Sequence, residues 1–148
     1  MKIFVDSSII VEYIKGNQTD LFEHLIVSEY ELFTNAIVYS EFMFYYLAVL
    51  SGKSPLAVKE NKQIKEIIEH NNPIDLFSYF TNLPIDKDII FLSYDYMKQY
   101  NLLPNDALIL STVKINALEM LASYDKKDFR QACIAENIRL ITSLAELK

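Results

Sequence analysis

The chain has 148 residues, of which 51% are hydrophobic and 23% are charged, and this length predicts one compact domain, residues 1–148. A net charge of −6 argues against a protein that coats nucleic acid non-specifically, but does not exclude an enzyme that binds phosphodiesters through metal ions. The single cysteine excludes an intramolecular disulfide framework. The longest apolar run has nine residues against the roughly 20 that span a bilayer, and no secretion signal is recognisable, so we expect a cytoplasmic protein without membrane contact.

Short apolar stretches alternate with amphipathic ones along the chain, which predicts alternating strands and helices. In chain order, the predicted strands cover residues 2–5, 31–34, 83–85, 119–123 and 139–142. The predicted helices cover residues 9–15, 20–29, 37–50, 56–70, 75–81, 86–100, 105–118 and 129–137. This alternation predicts an α/β fold with a mainly parallel sheet covered on both faces, and Pro84 favours an edge position for its strand. Residues 42–50, apolar on every side, are interpreted either as core or as part of a subunit interface.

Acidic residues closely follow two of the predicted strands. Asp6 comes after the strand at 2–5, with Ser8 available to orient its carboxylate, and Asp125 follows the strand at 119–123. Because functional groups gather beyond the carboxyl ends of parallel strands, both carboxylates are candidates for a site there. The alternative is that Asp6 caps the next helix and that Asp125 belongs to a polar turn.

Two further carboxylates lie in apolar segments. Glu41 is the only charged residue within 35–52, and Asp106 is the only one within 99–113. Burying an unpaired carboxylate costs several kcal/mol or shifts its pKa, so we expect a metal or a basic partner. The alternatives are that Glu41 faces solvent on its helix and that Asp106 complements the dipole at a helix start, where Asn105 is the expected cap.

A set of carboxylates without histidine or cysteine partners indicates phosphodiester or phosphoryl chemistry. Carboxylate oxygens suit Mg²⁺ or Mn²⁺, and such a cation lowers the pKa of water and polarises a phosphoryl oxygen. The sequence has no glycine-rich phosphate loop and no dinucleotide fingerprint. His24 and His70 have no nucleophile motif nearby, and Cys133 lies in an apolar part of a helix, so all three are interpreted as structural.

Four short motifs follow one another along the chain. They are IFVDSSII at residues 3–10, SE at 40–41 before an apolar stretch, LPNDALI at 103–109 and ASYDKKDF at 122–129. In order and spacing they resemble the PIN-domain family, and within it the VapC-type toxins of prokaryotic toxin–antitoxin pairs. Residues 53–81, with two predicted helices, are longer than in a minimal member and are interpreted as a helical insertion.

The resemblance implies a three-layer α/β/α fold with an acidic pocket that binds Mg²⁺ or Mn²⁺. It implies endoribonuclease activity that leaves 5′-phosphate and 3′-hydroxyl ends, frequent homodimers, and inhibition by a small antitoxin protein. Carried over by motif, Asp6 and Asp106 are the principal metal ligands, and Glu41 and Asp125 complete the site directly or through water. Asp128 matches a common additional acid.

Other features leave alternatives open. Lys126, Lys127 and Arg130 follow Asp125 closely and are interpreted either as contacts to the RNA backbone or as a solvated turn. One alternative function is a PIN fold retained as an RNA- or protein-binding module with little catalysis, which the presence of all four acids disfavours. Another is a phosphotransferase with an aspartyl nucleophile, but Ser8 stands where such enzymes have a second aspartate.

Overall fold

A five-stranded sheet forms the centre of the computed structural model, which describes residues 1–147. The strands are β1 (Lys2–Val5), β2 (Glu31–Asn35), β3 (Thr81–Leu83), β4 (Met120–Ala122) and β5 (Arg139–Ile141). Their order across the sheet is β3-β2-β1-β4-β5, and every neighbouring pair is parallel. The predicted α/β fold is confirmed. The strand predicted at residues 83–85 lies at Thr81–Leu83 instead, so Pro84 follows it, but β3 is an edge strand as predicted.

Helices flank the sheet. The α-helices are α1 (Ser7–Lys15), α2 (Asp20–Val27), α3 (Ala36–Ser51), α4 (Pro55–Glu60), α5 (Ile64–Asn71), α6 (Lys87–Tyr100), α7 (Pro104–Ile115) and α8 (Lys126–Glu136). Two 3₁₀ helices cover Pro73–Tyr79 and Leu144–Leu147. Helix α3 packs against α1, α4, α5 and α7, while α7 also packs against α6 and α8. Within residues 1–147, each helix is too short or too polar to cross a bilayer.

The single helix predicted over residues 56–70 is wrong, because the structure has α4 and α5 there. Lys62 lies between them with a φ of 57°, a left-handed conformation that ends α4 although no glycine or proline marks the position. The amide of Gln63 then donates to the carbonyl of Val58. The interpretation of residues 53–81 as an insertion in a single domain stays a prediction.

The central strand is enclosed by apolar side chains. Ile3, Phe4 and Val5 of β1 are fully buried, and the hydrophobic core around them includes residues from the neighbouring strands and from most helices. Because β1 is the central strand, the residue that follows it lies at the middle of the carboxyl end of the sheet. That residue is Asp6.

Helix α3 divides its apolar side chains between two environments. Phe42 and Tyr46 lie in the core, whereas Phe44 and Tyr45 are 57% and 51% exposed. The helix is oriented at its start by Asn35, whose side-chain oxygen accepts hydrogen bonds from the amides of the second and third residues of α3. The core interpretation of residues 42–50 is therefore correct for one face of α3 only.

Candidate active site

An acidic cleft of about 410 Å³ lies beyond the carboxyl ends of β1 and β4. Six carboxylates line this acidic cleft, those of Asp6, Glu12, Glu41, Asp106, Asp125 and Asp128, and Glu12 is paired with Lys15. Four of them come from separate segments. Asp6 and Asp125 follow β1 and β4, Glu41 lies in the second turn of α3, and Asp106 lies in the first turn of α7. The structure thus brings together all four acids predicted from the sequence.

Asp6 is held in one orientation by hydrogen bonds from three serines, Ser7, Ser8 and Ser123. Its Oδ2 accepts the hydroxyl protons of Ser8 and Ser123, both at 2.7 Å, and its Oδ1 accepts the amide of Ser7 at 2.7 Å. The side chain is only 5% exposed. The amide bond from Ser7 makes Asp6 the N-cap of α1, so the capping alternative is correct as well. Capping and placement in the acidic cleft are both properties of this one carboxylate.

The end of β4 is built in a similar way. The amide of Asp125 donates to the Ser123 hydroxyl oxygen at 3.0 Å, and Asp125 Oδ1 accepts the amide of Asp128 at 3.2 Å. Asp125 is therefore the N-cap of α8, and the predicted polar turn is the start of that helix. Ser123 links this turn to Asp6, a contact that was not predicted from the sequence. Its signal is that Ser123 directly follows β4, as Asp6 directly follows the parallel neighbour β1.

Glu41 is half-buried, and the groups that donate hydrogen bonds to it are neutral rather than basic. Its Oε2 accepts the hydroxyl of Ser7 at 2.9 Å, and its Oε1 accepts the side-chain amide of Asn105 at 2.8 Å. The expectation that Asn105 caps α7 is wrong, because the N-cap is Leu103 and the helix begins at Pro104. Proline at the first helical position lacks an amide proton, so the start of α7 needs less capping. The Asn105 side chain is left to reach Glu41.

Asp106 carries the strongest electrostatic perturbation in the acidic cleft. Burial, followed by the negative charges of Asp6, Asp128, Asp125 and Glu41, raises the pKa of Asp106 to about 7. Asp106 takes no part in the hydrogen bonds described above. Burial and the charge of Asp125 also raise the pKa of Asp128. The cleft therefore concentrates more negative charge than its own donors compensate.

The chemistry of this donor set fits Mg²⁺ or Mn²⁺. Both ions prefer oxygen ligands, and a divalent cation next to Asp106 would offset the repulsion that raises its pKa. Among residues 1–147, no three Asp, Glu, His or Cys side chains form a compact ligand group. A cation in the acidic cleft would therefore be held by one or two carboxylates at a time together with water, as is usual for Mg²⁺.

The other predicted residues lie next to the acidic cleft or away from it. Lys126, Lys127 and Arg130 line an adjacent depression of about 540 Å³ along α8. The lining of this depression contains no carboxylate. His24 and His70 are exposed and line other depressions.

Cys133 is buried, and burial raises the pKa of its thiol to about 12. The thiol therefore stays protonated at neutral pH and is a poor nucleophile. This agrees with the interpretation of Cys133 as a small core residue.

Known structures with the same fold cover nearly the whole chain. A toxin–antitoxin complex from Klebsiella pneumoniae superposes on 86% of this chain and 89% of its own, with a TM-score of 0.59 and 22% identity. The VapBC2 structure from Rickettsia felis, bound to a promoter DNA fragment, covers 95% of this chain and 97% of its own, with a TM-score of 0.64 and 17% identity. At these identities the likeness concerns the fold.

Sequence comparison extends the likeness beyond the fold. Ribonuclease VapC2 of Methanocaldococcus jannaschii is 33% identical over 141 residues, which are 94% of each chain. The family model described as "PIN domain" matches residues 3–142, from within β1 to just after β5. The chain belongs to the PIN-domain family.

Proposed function

We propose that this protein is a metal-dependent endoribonuclease that hydrolyses RNA phosphodiester bonds and acts as the toxin of a toxin–antitoxin pair. The observation that carries the proposal is the convergence of four carboxylates from separate segments on one acidic cleft. The identity of 33% to a VapC ribonuclease over 94% of the chain supports the RNA substrate.

Asp6 and Asp106 are the proposed principal ligands of Mg²⁺ or Mn²⁺. The hydrogen bonds to Asp6 fix its direction before a cation arrives, which reduces the reorganisation that binding requires. Asp106 lacks such donors and gains most from a nearby positive charge. Glu41 and Asp125 complete the site directly or through water. Ser8 orients Asp6, and the proposed part of Asp128 is to add negative charge.

The reaction proposed for this site is attack of water on an RNA phosphodiester, which leaves 5′-phosphate and 3′-hydroxyl ends. A bound cation supplies an activated water and neutralises charge on the phosphoryl group. The chain's own contribution is to hold the substrate phosphate against the acidic cleft and to accept the proton that the water loses on a carboxylate oxygen.

Lys126, Lys127 and Arg130 are proposed to contact the RNA backbone. All three are exposed on α8, and Asp125 at the start of this helix lines the acidic cleft. Basic side chains beside the acidic cleft attract the anionic RNA strand and bring its phosphates close to the bound metal ion.

A small antitoxin and a second copy of the chain are the proposed protein partners. A solved structure with this fold is a toxin–antitoxin complex, which supports the first. Ile90, Phe91 and Tyr94 lie within about one turn of α6 with more than half of each side chain exposed, which supports an apolar contact between copies. We place the activity in the cytoplasm, where RNA and Mg²⁺ are both present.

Cleavage of single-stranded RNA by purified protein tests the function. With Mn²⁺ or Mg²⁺ we expect wild-type protein to produce fragments with 5′-phosphates, and no fragments in EDTA. Asp6→Asn should lower the rate about 100-fold or more, whereas Asp88→Asn, an exposed acid on α6, should leave it unchanged. Folded wild-type protein that binds RNA but cuts none with either cation would contradict the enzyme and favour the binding module.

A further inference from the structure

The rim of the acidic cleft differs chemically from its floor. Tyr45 and Leu103 belong to the lining, and both side chains are largely exposed, Leu103 by 71%. Tyr45 follows Glu41 by four residues on α3, so it lies one helical turn, about 6 Å, farther along the same face. An accessible aromatic ring therefore lies one turn from a carboxylate of the cleft.

The Tyr45 ring has an aromatic neighbour. Phe44 and Tyr45 form a T-shaped pair, with ring centroids 6.0 Å apart and an angle of 87° between the planes. Both side chains are more than half exposed, so the pair is accessible to a further planar group. Tyr45 is thus an apolar surface that contacts solvent at the edge of the acidic cleft.

We propose that Tyr45 stacks on a nucleobase of single-stranded RNA next to the phosphate that is cleaved, with Leu103 as an additional apolar contact. The inference rests on the proposed ribonuclease function and assigns a substrate-positioning residue to the same site. Bases of single-stranded RNA are free to stack on aromatic side chains, whereas bases within a duplex are not.

Electrostatics favour a nucleobase over a phosphate at this rim. Lys15, the basic side chain of the cleft lining, is paired with Glu12 at 2.8 Å, so its charge is already compensated and attracts a phosphate less. A stacked base carries no net charge, so its contact with Tyr45 is largely insensitive to the charges of the cleft. Stacking on Tyr45 therefore holds the RNA at the rim of the cleft next to α3, while the basic residues of α8 contact its phosphates.

Steady-state cleavage of a short single-stranded RNA by three variants tests the inference. Tyr45→Leu removes the ring and should raise KM about 5- to 150-fold, the range for loss of one stacked base. Tyr45→Phe keeps the ring and should stay within about threefold of wild type. Tyr79→Leu removes an equally exposed aromatic ring from the 3₁₀ helix Pro73–Tyr79, outside the lining of the cleft, and should leave KM unchanged.

A binding experiment separates stacking from a structural effect. In an Asp6→Asn background, RNA that carries 2-aminopurine at single positions should show quenched fluorescence at one position, and Tyr45→Leu should abolish that quenching. An abasic nucleotide at the same position should make the KM values of wild type and Tyr45→Leu equal.

Three results would overturn the inference while the wild type still cleaves RNA. The first is that Tyr45→Leu leaves both KM and quenching unchanged. The second is that the KM of Tyr45→Leu stays above that of wild type on the abasic RNA. The third is that Tyr45→Leu changes the sedimentation of the protein, which would show that Tyr45 is a subunit contact. If wild-type protein cleaves no RNA at all, the proposed function fails instead. The experiment therefore distinguishes the two failures.

Discussion

Ser123 Oγ donates a 2.7 Å hydrogen bond to Asp6 Oδ2, across 117 positions of sequence. The contact exists because β1 and β4 are parallel neighbours with Val5 opposite Ala122, so the residues that follow the two strands emerge side by side. The amide of Asp6 also donates to the carbonyl of Ala122 at 2.9 Å. The sheet itself therefore fixes the carboxylate that we propose as a principal ligand.

Ser123→Ala should lower the free energy of unfolding by about 1–3 kcal/mol, because Asp6 loses a buried donor and the amide of Asp125 loses its acceptor. It should also weaken Mn²⁺ binding about 10- to 100-fold, the usual effect of losing a group that orients a ligand. Urea denaturation and calorimetric titration measure the two effects. Ser93→Ala is the control, since that buried hydroxyl contacts only its own helix. Equal Mn²⁺ affinities in both variants would contradict the prediction.

Asn105→Asp should destabilise the cation-free protein, because it places a new negative charge 2.8 Å from Glu41 in place of an amide donor. The loss should be about 1–3 kcal/mol in EDTA and should shrink when Mg²⁺ is added. Asn105→Ala removes the donor without adding charge and serves as the comparison. If Mg²⁺ stabilises the two variants equally, Asn105 lies outside the field of the proposed cation. Thermal unfolding with and without Mg²⁺ gives the result.

The stability of the cation-free protein should fall as pH rises from about 4 to 7. Burial and neighbouring carboxylates raise the pKa of Asp106 to about 7, so the folded state keeps a proton there that the unfolded state has released. Asp106→Asn should reduce the difference in unfolding free energy between pH 5 and pH 8 by on the order of 2 kcal/mol. Urea denaturation in EDTA measures this. A variant with the wild-type pH dependence would contradict the assignment.

Glu136 should stabilise the contact among α6, α7 and α8 at neutral pH. Tyr100 donates to its Oε1, and Lys114 Nζ lies 2.9 Å from its Oε2. Burial raises the pKa of Glu136, but these hydrogen bonds outweigh burial and lower it below 4.5.

Its contribution is therefore present above pH 4.5 and lost as pH falls through the lowered pKa. Glu136→Gln should cost about 1–2 kcal/mol at pH 7 and little in acid, as judged by urea denaturation. Glu69→Gln, in an exposed pair with Lys65, should cost much less. A Glu136→Gln deficit that persists unchanged in acid would rule out an ionic origin.

Arg130→Ala should weaken the dependence of RNA binding on salt. If Arg130 neutralises one phosphate, the slope of log affinity against log salt concentration should fall by about 0.7 for a single strand. Lys127→Ala should behave alike, and Lys59→Ala on α4 should leave the slope unchanged. The measurement uses the Asp6→Asn variant, so that RNA stays intact. An unchanged slope in both α8 variants would leave these side chains as part of a solvated helix face.

The order of strands and helices could be predicted from the sequence because local patterns determine it. Short apolar runs located four of the five strands, whereas the third lies two residues earlier than predicted. Gly16 and Gly52 marked helix ends that the structure confirms with φ values of 69° and 65°. The break between α4 and α5 could not be predicted, since a lysine adopts the left-handed conformation there without a local signal. The four acids were recognisable because two follow strands and two interrupt apolar segments.

The parallel sheet, its helices and the acidic side chains at its carboxyl end follow from local patterns along the chain, since hydrophobic periodicity and strand ends are local properties. Which donors hold those acids depends on how distant segments pack. Ser123 reaches Asp6, and Asn105 reaches Glu41, across 117 and 64 positions. The raised pKa of Asp106 and the place of Tyr45 at the rim depend likewise on distances between segments, which come into existence only when the sheet and its helices pack together.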